Sequence, residues 1–173
     1  MSESWDALQA KDNQIEKVWC ASAQERGDLR LFTSGGVELT VRSMVHPTAR
    51  KVEYNAYLPD GRKVAWVYPS IIRNGCAEIT NVRVFGRSYE RKGIATAMYD
   101  LVENDIKQSG GKGLRPDVEN MSPDALRLWA HRRPEDVVLQ EKIQAELERL
   151  KETGELDSWE FAKKMTPSEP AFE

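Results

Sequence analysis

The feature that most constrains the fold is a change of hydrophobic period at Gly93. Before this glycine, four runs alternate apolar and polar residues or are rich in β-branched residues, as β-strands are: 37–45, 51–59, 62–70 and 77–85. After it, apolar residues recur at helical spacing as far as Ile106. Strands followed by a long amphipathic helix predict an α/β (α+β) domain in which that helix packs on a sheet.

Glycine-rich turns separate the predicted elements. The sequence "PDGR" at 59–62 places Asp60-Gly61 at the tip of a hairpin between the second and third runs. The sequence "TSGG" at 33–36 predicts a turn, and "SGGKG" at 109–113 ends the long helix. Neither matches the GxGxxG or GxxxxGK[ST] patterns that bind phosphate, so we interpret these glycines as turn residues.

Further elements are predicted on both sides of this region. Residues 1–24 are predicted to be helical, with apolar residues at helical spacing after a candidate N-cap at Asp12 or Asn13. Residues 112–119 are predicted to form a fifth strand, which Pro116 weakens. Ser122 is a good N-cap for a helix that begins at Pro123. That helix is expected to bury one face, formed by Ala125, Leu128 and Trp129.

The last part of the chain differs in charge from the rest. Residues 135–173 carry eleven acidic and five basic side chains, a balance of -6, which leaves +3 for the remainder of a chain whose net charge is -3. We therefore expect a main domain at 1–133, with its core at 37–133, and an acidic C-terminal helix and tail at 134–173. An apolar stripe on that helix favours either packing on the domain or a homodimer; its members are Leu139, Ile143, Leu147 and Leu150.

Composition excludes several classes of protein. The chain has 173 residues, no apolar run near the roughly 20 residues of a membrane span, and no basic, apolar start of the secretory type, so we expect one cytoplasmic domain. Cys20 and Cys76 form no CxxC pair, and His46 and His131 are isolated, so no metal site is predicted. The negative net charge argues against a globally basic nucleic-acid-binding protein.

Gly93 lies where strand gives way to helix, in the stretch "YERKGIATAMYD" at 89–100. The first turn of a helix has unpaired N–H groups and a positive dipole end, and a glycine lets a ligand approach the backbone closely. Arg87, Arg91 and Lys92 add positive charge beside it. The pattern fits a pyrophosphate site and equally fits a helix start with solvated basic residues.

The stretch "ITNVRVFGRSYERKGIATAMYDLVE" at 79–103 resembles the signature of the GNAT superfamily of acetyl-CoA-dependent N-acyltransferases. That signature is [Q/R]-x-x-G-x-[G/A]; Gly93 and Ala95 match it, whereas Glu90 replaces its first residue. The resemblance covers about residues 37–133. It implies a central mixed, mostly antiparallel sheet flanked by helices, with an extra C-terminal helix here. It also implies transfer of an acetyl group from acetyl-CoA to an amine, by direct attack and without a metal.

The resemblance also implies roles for particular residues. Backbone groups of the strand before the motif would pair with the pantetheine arm, at Val82, Arg83 and Val84. The pyrophosphate would lie against the motif and the helix start, at Glu90, Arg91, Lys92, Gly93, Ile94, Ala95 and Thr96, with Ser122 at the later helix. For catalysis, the Val84 N–H would be the oxyanion donor and Glu78 the general base, unless Glu78 is a solvated strand-end carboxylate and a water relay takes its place. From their positions in the sequence, Tyr99 and Tyr89 are the phenols near enough to act as general acid, although Tyr99, six residues into the helix, also fits packing.

The later helix departs from the family pattern N-x-x-A-x-x-L-Y, because Trp129 stands where the tyrosine that often protonates the leaving thiolate would be. An indole cannot serve as that acid. One alternative is therefore a catalytically inactive GNAT-fold binding protein. Another is an enzyme of the bacteriophage type that acts on modified DNA bases or a host protein. This enzyme would need a basic groove, for which the candidates are Arg127, Arg132 and Arg133.

The amine acceptor stays open in this interpretation: a small molecule, a protein or a modified nucleobase. Tyr54, Tyr57 and Tyr68 lie on the central predicted strands. They would either line an acceptor cleft or pack in the core.

Overall fold

A computed structural model describes residues 4–46, 48, 51–79, 82–85, 89 and 92–165. Within them the chain forms a mixed α+β fold with five α-helices and a mostly antiparallel sheet. The first half contains α1 (Trp5–Arg26), β1 (Leu29–Phe32), β2 (Glu38–His46), β3 (Lys51–Tyr57), β4 (Lys63–Val67), β5 (Cys76–Glu78) and β6 (Val82–Val84). The second half contains α2 (Ile94–Gln108), β7 (Gly113–Arg115), a 3-10 turn (Val118–Asn120), α3 (Pro123–Arg132), α4 (Val137–Glu152) and α5 (Glu155–Lys164).

Five strands form one antiparallel sheet in the order β1-β2-β3-β4-β6, and β5 pairs in parallel with β7. The predicted strands at 37–45, 51–59 and 62–70 are confirmed as β2, β3 and β4, and 33–36 does form a turn. The predicted run at 77–85 is divided into β5 and β6. The strand predicted at 112–119 is only three residues long, because Pro116 has no N–H to continue the ladder.

The predicted cap of α1 is wrong. Ser4 caps the helix by accepting a hydrogen bond from the Ala7 N–H, so α1 begins two turns before Asp12. Asp12 is buried and accepts hydrogen bonds from the N–H groups of Asn74 and Gly75, both 2.9 Å long. These bonds attach α1 to the loop that leads into β5 and so fix where β5 begins.

Helices α1 and α2 pack on the same face of the sheet and contact each other. Between them lies a buried polar network centred on Tyr54 of β3. The Tyr54 hydroxyl accepts from Trp19 Nε1 at 2.7 Å and donates to Asp105 of α2 at 2.8 Å. Arg26, at the end of α1, donates two hydrogen bonds to the same carboxylate. Tyr54 is thus a core residue with satisfied polar groups and lines no cleft.

Two helices follow α3 where one was predicted. The stripe on α4 is largely buried within this chain, at Leu139, Ile143 and Leu150, and α4 contacts both α3 and α5. The interpretation that the stripe packs on the chain's own surface is confirmed, and its apolar face is therefore occupied without a second copy. The predicted tail at 166–173 lies outside the described residues.

Candidate functional site

The N-terminus of α2 differs from those of the other described helices. Gly93 is its N-cap, in the left-handed region at φ +79°, and neither a capping side chain nor an acidic residue lies in its first turn. Helices α1, α3 and α4 have capping side chains, and α5 has two acidic residues in its first turn. The first N–H groups of α2 are therefore without a side-chain acceptor among the described residues, and exposed Lys92 adds positive charge beside them.

The turn between β1 and β2 holds this helix start in place, a role that the sequence analysis missed. The Lys92 carbonyl accepts hydrogen bonds from the Thr33 hydroxyl at 2.5 Å and the Gly35 N–H at 3.1 Å. A Cβ at Gly35 would lie 2.5 Å from the Lys92 oxygen, and one at Gly93 would lie 2.4 Å from Ser34 Oγ. Glycine at both positions allows the two segments to approach this closely.

Strands β6 and β7 diverge to form a fork. The parallel pairing of β5 with β7 ends at Glu78 opposite Arg115. On its other side, β5 meets the segment that follows β4, because the Ser70 N–H donates to the Glu78 carbonyl at 2.8 Å. Farther along the same chain, β6 pairs only with β4 among the described strands. The edge of β6 that faces away from β4 therefore has no strand partner among the described strands, and we call the region between this edge and β7 the fork.

The backbone of β6 presents specific groups to the fork. The Phe85 N–H donates to the Val64 carbonyl at 2.7 Å, and Arg83 lies opposite Trp66 in the same ladder. Because backbone groups alternate in direction along a strand, Arg83 also faces β4. The N–H and C=O groups of Val82 and Val84 consequently point into the fork. Of the three residues predicted to pair with the pantetheine arm, Val82 and Val84 thus direct their backbone groups into the fork, whereas Arg83 directs its groups towards β4.

Glu78 lies where the fork begins. Its carboxylate accepts two hydrogen bonds from Arg115, of 3.1 and 2.7 Å, and its side chain is 31% exposed. The Glu78 N–H donates to Ser70 Oγ, which fixes the backbone at this point. The site therefore contains a charged, partly accessible carboxylate whose orientation is set by one arginine.

Tyr99, the predicted general acid, lies in the core. Its side chain is 0% exposed, and its ring meets Trp129 edge-on with centroids 5.5 Å apart. Burial raises the pKa of Tyr99 to about 12. The nearby Trp129 indole and Arg132 guanidinium act in the opposite direction on this pKa, but the Tyr99 hydroxyl makes no hydrogen bond of standard geometry within the described part of the chain. These features are those of a packing residue, and Trp129 is buried beside it as predicted.

We expect Tyr99→Phe to leave the free energy of unfolding at about pH 7 unchanged or to raise it by up to about 1 kcal/mol, because the variant removes a buried hydroxyl that has no partner. The unfolded chain has a tyrosine pKa of about 10, so the contribution of the protonated phenol is complete below that pH and is lost as the pH rises towards 12. The difference in free energy of unfolding between the variant and the natural chain should therefore be about 1.4 kcal/mol more favourable to the variant at about pH 11 than at neutral pH. Urea denaturation at both pH values measures this.

Tyr54→Phe is the matched control for this substitution. It removes a hydroxyl with two partners, Trp19 and Asp105, and should lower the free energy of unfolding by about 1–3 kcal/mol at neutral pH. A comparable loss in Tyr99→Phe would mean that the Tyr99 hydroxyl has a partner in solution.

The remaining residues predicted to bind the cofactor lie at the starts of α2 and α3 or outside the described residues. Ser122 caps α3 through the Ala125 N–H at 3.2 Å, as predicted from its sequence position. Ile94 is buried, Ala95 is partly buried and Thr96 is exposed in the first turn of α2. Glu90 and Arg91, together with Arg87, lie outside the described residues.

The three arginines proposed for a basic groove are all engaged elsewhere. Arg127 pairs with Asp124 and Glu160, and Arg132 pairs with Asp100 and Glu103. Arg133 also contacts Glu103 and donates to the Leu114 carbonyl at 2.7 Å. Their charges are balanced by acidic neighbours, so α3 presents no free basic groove.

A scan against protein-family models and searches of curated proteins and of solved structures each found no match to this chain. Across the described residues, no group of three or more His, Cys, Asp or Glu side chains is arranged to hold a metal ion. None of the described helices has the length and apolar character required to cross a bilayer. The fork and the start of α2 are the features that bear on function.

Proposed function

We propose that this chain is an acetyl-CoA-dependent N-acetyltransferase of the GNAT type. The main support is the fork, where one edge of β6 has no strand partner among the described strands and the following helix begins at Gly93 without a capping side chain. Helix α2 packs against β6, so both features belong to one region. Gly93 and Ala95, which match the motif, are the N-cap and the second residue of this helix.

The cofactor would be held mainly by backbone groups. Val82 and Val84 would pair with the amides of the pantetheine arm, as one strand pairs with another. The first N–H groups of α2 would bind the pyrophosphate, and Lys92 would add charge attraction. The missing family side chain at Glu90 matters less in such a site, because backbone amides carry the contacts.

The chemistry would follow from the same geometry. An amine nitrogen attacks the thioester carbonyl carbon, and the carbonyl oxygen gains negative charge that the Val84 N–H stabilises. The C–S bond then breaks, the acetyl group stays on nitrogen and CoA leaves as a thiolate that takes up a proton. Glu78 would accept the proton that the amine loses. We give Tyr99 no part in these steps, because its side chain is fully buried.

Titration of acetyl-CoA by calorimetry tests the cofactor site, with Thr96→Glu and Thr96→Gln as a matched pair. Thr96 is exposed in the first turn of α2, so both variants should fold. A glutamate there stabilises a helix through its dipole but repels a pyrophosphate, and we expect about tenfold weaker binding, or roughly 1.4 kcal/mol. The glutamine variant, similar in shape and uncharged, should bind about as well as the natural chain.

Two outcomes would contradict the proposal. Acetyl-CoA might fail to bind the natural chain, or Thr96→Glu and Thr96→Gln might bind equally well. Gly93→Glu is unsuitable as a control, because its positive φ and the contact with Ser34 would strain the fold itself.

A second candidate is a GNAT-fold module that binds CoA without turnover. It is favoured by the replacement of the family tyrosine by Trp129 and by the complete burial of Tyr99, the phenol that was predicted to act in its place. The two candidates differ in one observable. A transferase releases free thiol when acetyl-CoA is supplied with a panel of amines, whereas the module binds acetyl-CoA and releases none.

A further inference from the structure

The second face of the five-stranded sheet is not covered by α1 or α2. Those two helices contact the face that contains Tyr54, and side chains alternate between faces along each strand. On the opposite face, which we call the open face, Phe32, Met44 and Tyr68 are all exposed. A sheet that carries exposed aromatic and apolar side chains on an uncovered face is a candidate interaction surface.

Two rows of cross-strand neighbours cross the open face. One row is Arg42, Asn55, Trp66 and Arg83, on β2, β3, β4 and β6. The adjacent row is Arg30, Thr40, Tyr57 and Lys63, on β1 to β4. Each row thus has one aromatic ring next to a basic side chain, Trp66 beside Arg83 and Tyr57 beside Lys63.

The rings and guanidinium groups on this face already stack on one another. Trp66 and Tyr68 are parallel, with centroids 4.3 Å apart and planes 20° apart. The Arg42 guanidinium lies 5.1 Å from the centre of the Tyr57 ring, and that of Arg83 lies 5.5 Å from the Phe85 ring. Tyr68 is 44% exposed, so part of the stacked pair remains open to a further planar group.

A pocket adjoins the first row. Asn55 lies between Arg42 and Trp66 in that row and is only 5% exposed, with its side-chain carbonyl oxygen buried. Beside it is an open pocket of about 400 Å³, lined by Thr40, Arg42, Tyr57, Leu58 and Gly61.

The charge of the open face is opposite to that of the whole chain. Its strand positions carry five basic residues, Arg30, Arg42, Lys51, Lys63 and Arg83, and two acidic ones, Glu38 and Glu53. Arg30 pairs with Glu38, and Arg42 pairs with Asp28 next to β1, so the balance with Asp28 included is +2. The chain as a whole has a net charge of -3. Arg83 has no acidic partner among the described residues. The face is therefore complementary to a negatively charged ligand.

We propose that the open face binds single-stranded nucleic acid. Unpaired bases stack on aromatic rings and guanidinium planes, and phosphates attract the flanking basic residues. The bases of a duplex are stacked on each other and cannot lie on this sheet. This proposal rests on a different surface from the acetyl-CoA fork and stands whether or not that cofactor binds.

Fluorescence anisotropy of the full chain tests the proposal, with a fluorescein-labelled single strand of about 12 nucleotides, as RNA and as DNA. We expect a dissociation constant of about 1–100 µM in low salt that weakens as salt increases. Tyr68→Ala should weaken binding about tenfold through the loss of one stacking platform. Arg83→Gln should reduce the slope of log affinity against log salt by about 0.7. Phe161 and Arg127 are exposed residues of α5 and α3, so Phe161→Ala and Arg127→Gln should change neither the affinity nor its dependence on salt.

Three results would overturn this inference. The first is no binding of either strand below about 100 µM in low salt. The second is equal binding of the matching duplex, and the third is equal binding by Tyr68→Ala whose folding is confirmed by circular dichroism. Sedimentation at the same concentrations identifies the competing occupant, since a dimer that Tyr68→Ala disrupts would mean that a second copy of the chain covers this face.

Discussion

Replacement of Asp105 by alanine is expected to lower the free energy of unfolding by about 3 kcal/mol, because it leaves a buried network without its charged centre. The Asp105 carboxylate accepts from the Tyr54 hydroxyl and from two Arg26 nitrogens, and so joins α1, β3 and α2. The Asp105 partnership raises the pKa of Arg26, and burial raises the pKa of Tyr54 well above its usual value. Both partners would lose an acceptor that they cannot replace within the core.

Part of the Arg26 side chain remains in contact with water, so the expected loss of unfolding free energy in Asp105→Ala lies at the lower end of the range for removing one partner of a buried ion pair. In a chain of this length it corresponds to a fall in melting temperature of about 6–12 °C, measurable by calorimetry. Asp100→Ala is the matched control on the same helix. Asp100 is exposed and pairs with Arg132, so its loss should cost less than about 1 kcal/mol. Equal losses in the two variants would show that the network does not stabilise the fold.

The same network shows what sequence periodicity can and cannot predict. Alternation identified β2, β3 and β4, because one face of the sheet packs against helices and the other does not. It missed β1, a four-residue strand at the sheet edge, because so short a segment contains only two alternations. The sequence pattern also made Asp12 a candidate helix cap, because an aspartate just before an apolar stripe is typical of a capping residue. In the structure, Asp12 instead accepts N–H groups from a loop distant in sequence.

The candidate site was predictable only in part for a similar reason. Gly93 could be placed at a helix start from the local sequence, because strand and helix differ in period on its two sides. The fork could not, because it depends on which strand pairs with each half of the run 77–85. The contact of Gly35 with Lys92 joins segments 57 residues apart and has no local signature. Backbone-directed sites of this kind become visible only when strand pairing is known.

The largest effect on activity is expected from Glu78→Gln, which should lower kcat by about 10²–10⁴-fold if Glu78 accepts the amine proton. The substitution keeps the size of the side chain and its contact with Arg115, but removes the basic group. Binding of acetyl-CoA should be unchanged, because the fork holds the cofactor through Val82, Val84 and the start of α2.

Glu38→Gln is a close control for this experiment. Glu38 lies on β2, its side chain is 33% exposed against 31% for Glu78, and its carboxylate pairs with Arg30 at 3.2 Å. The two glutamates thus share exposure, strand environment and an arginine partner, and differ in their distance along the sheet from the fork. If both variants kept their activity, the amine would have to reach the thioester already deprotonated, and Glu78 would serve only to hold Arg115 at the end of β7. A loss confined to Glu78→Gln would instead place proton removal at the point where β6 and β7 separate.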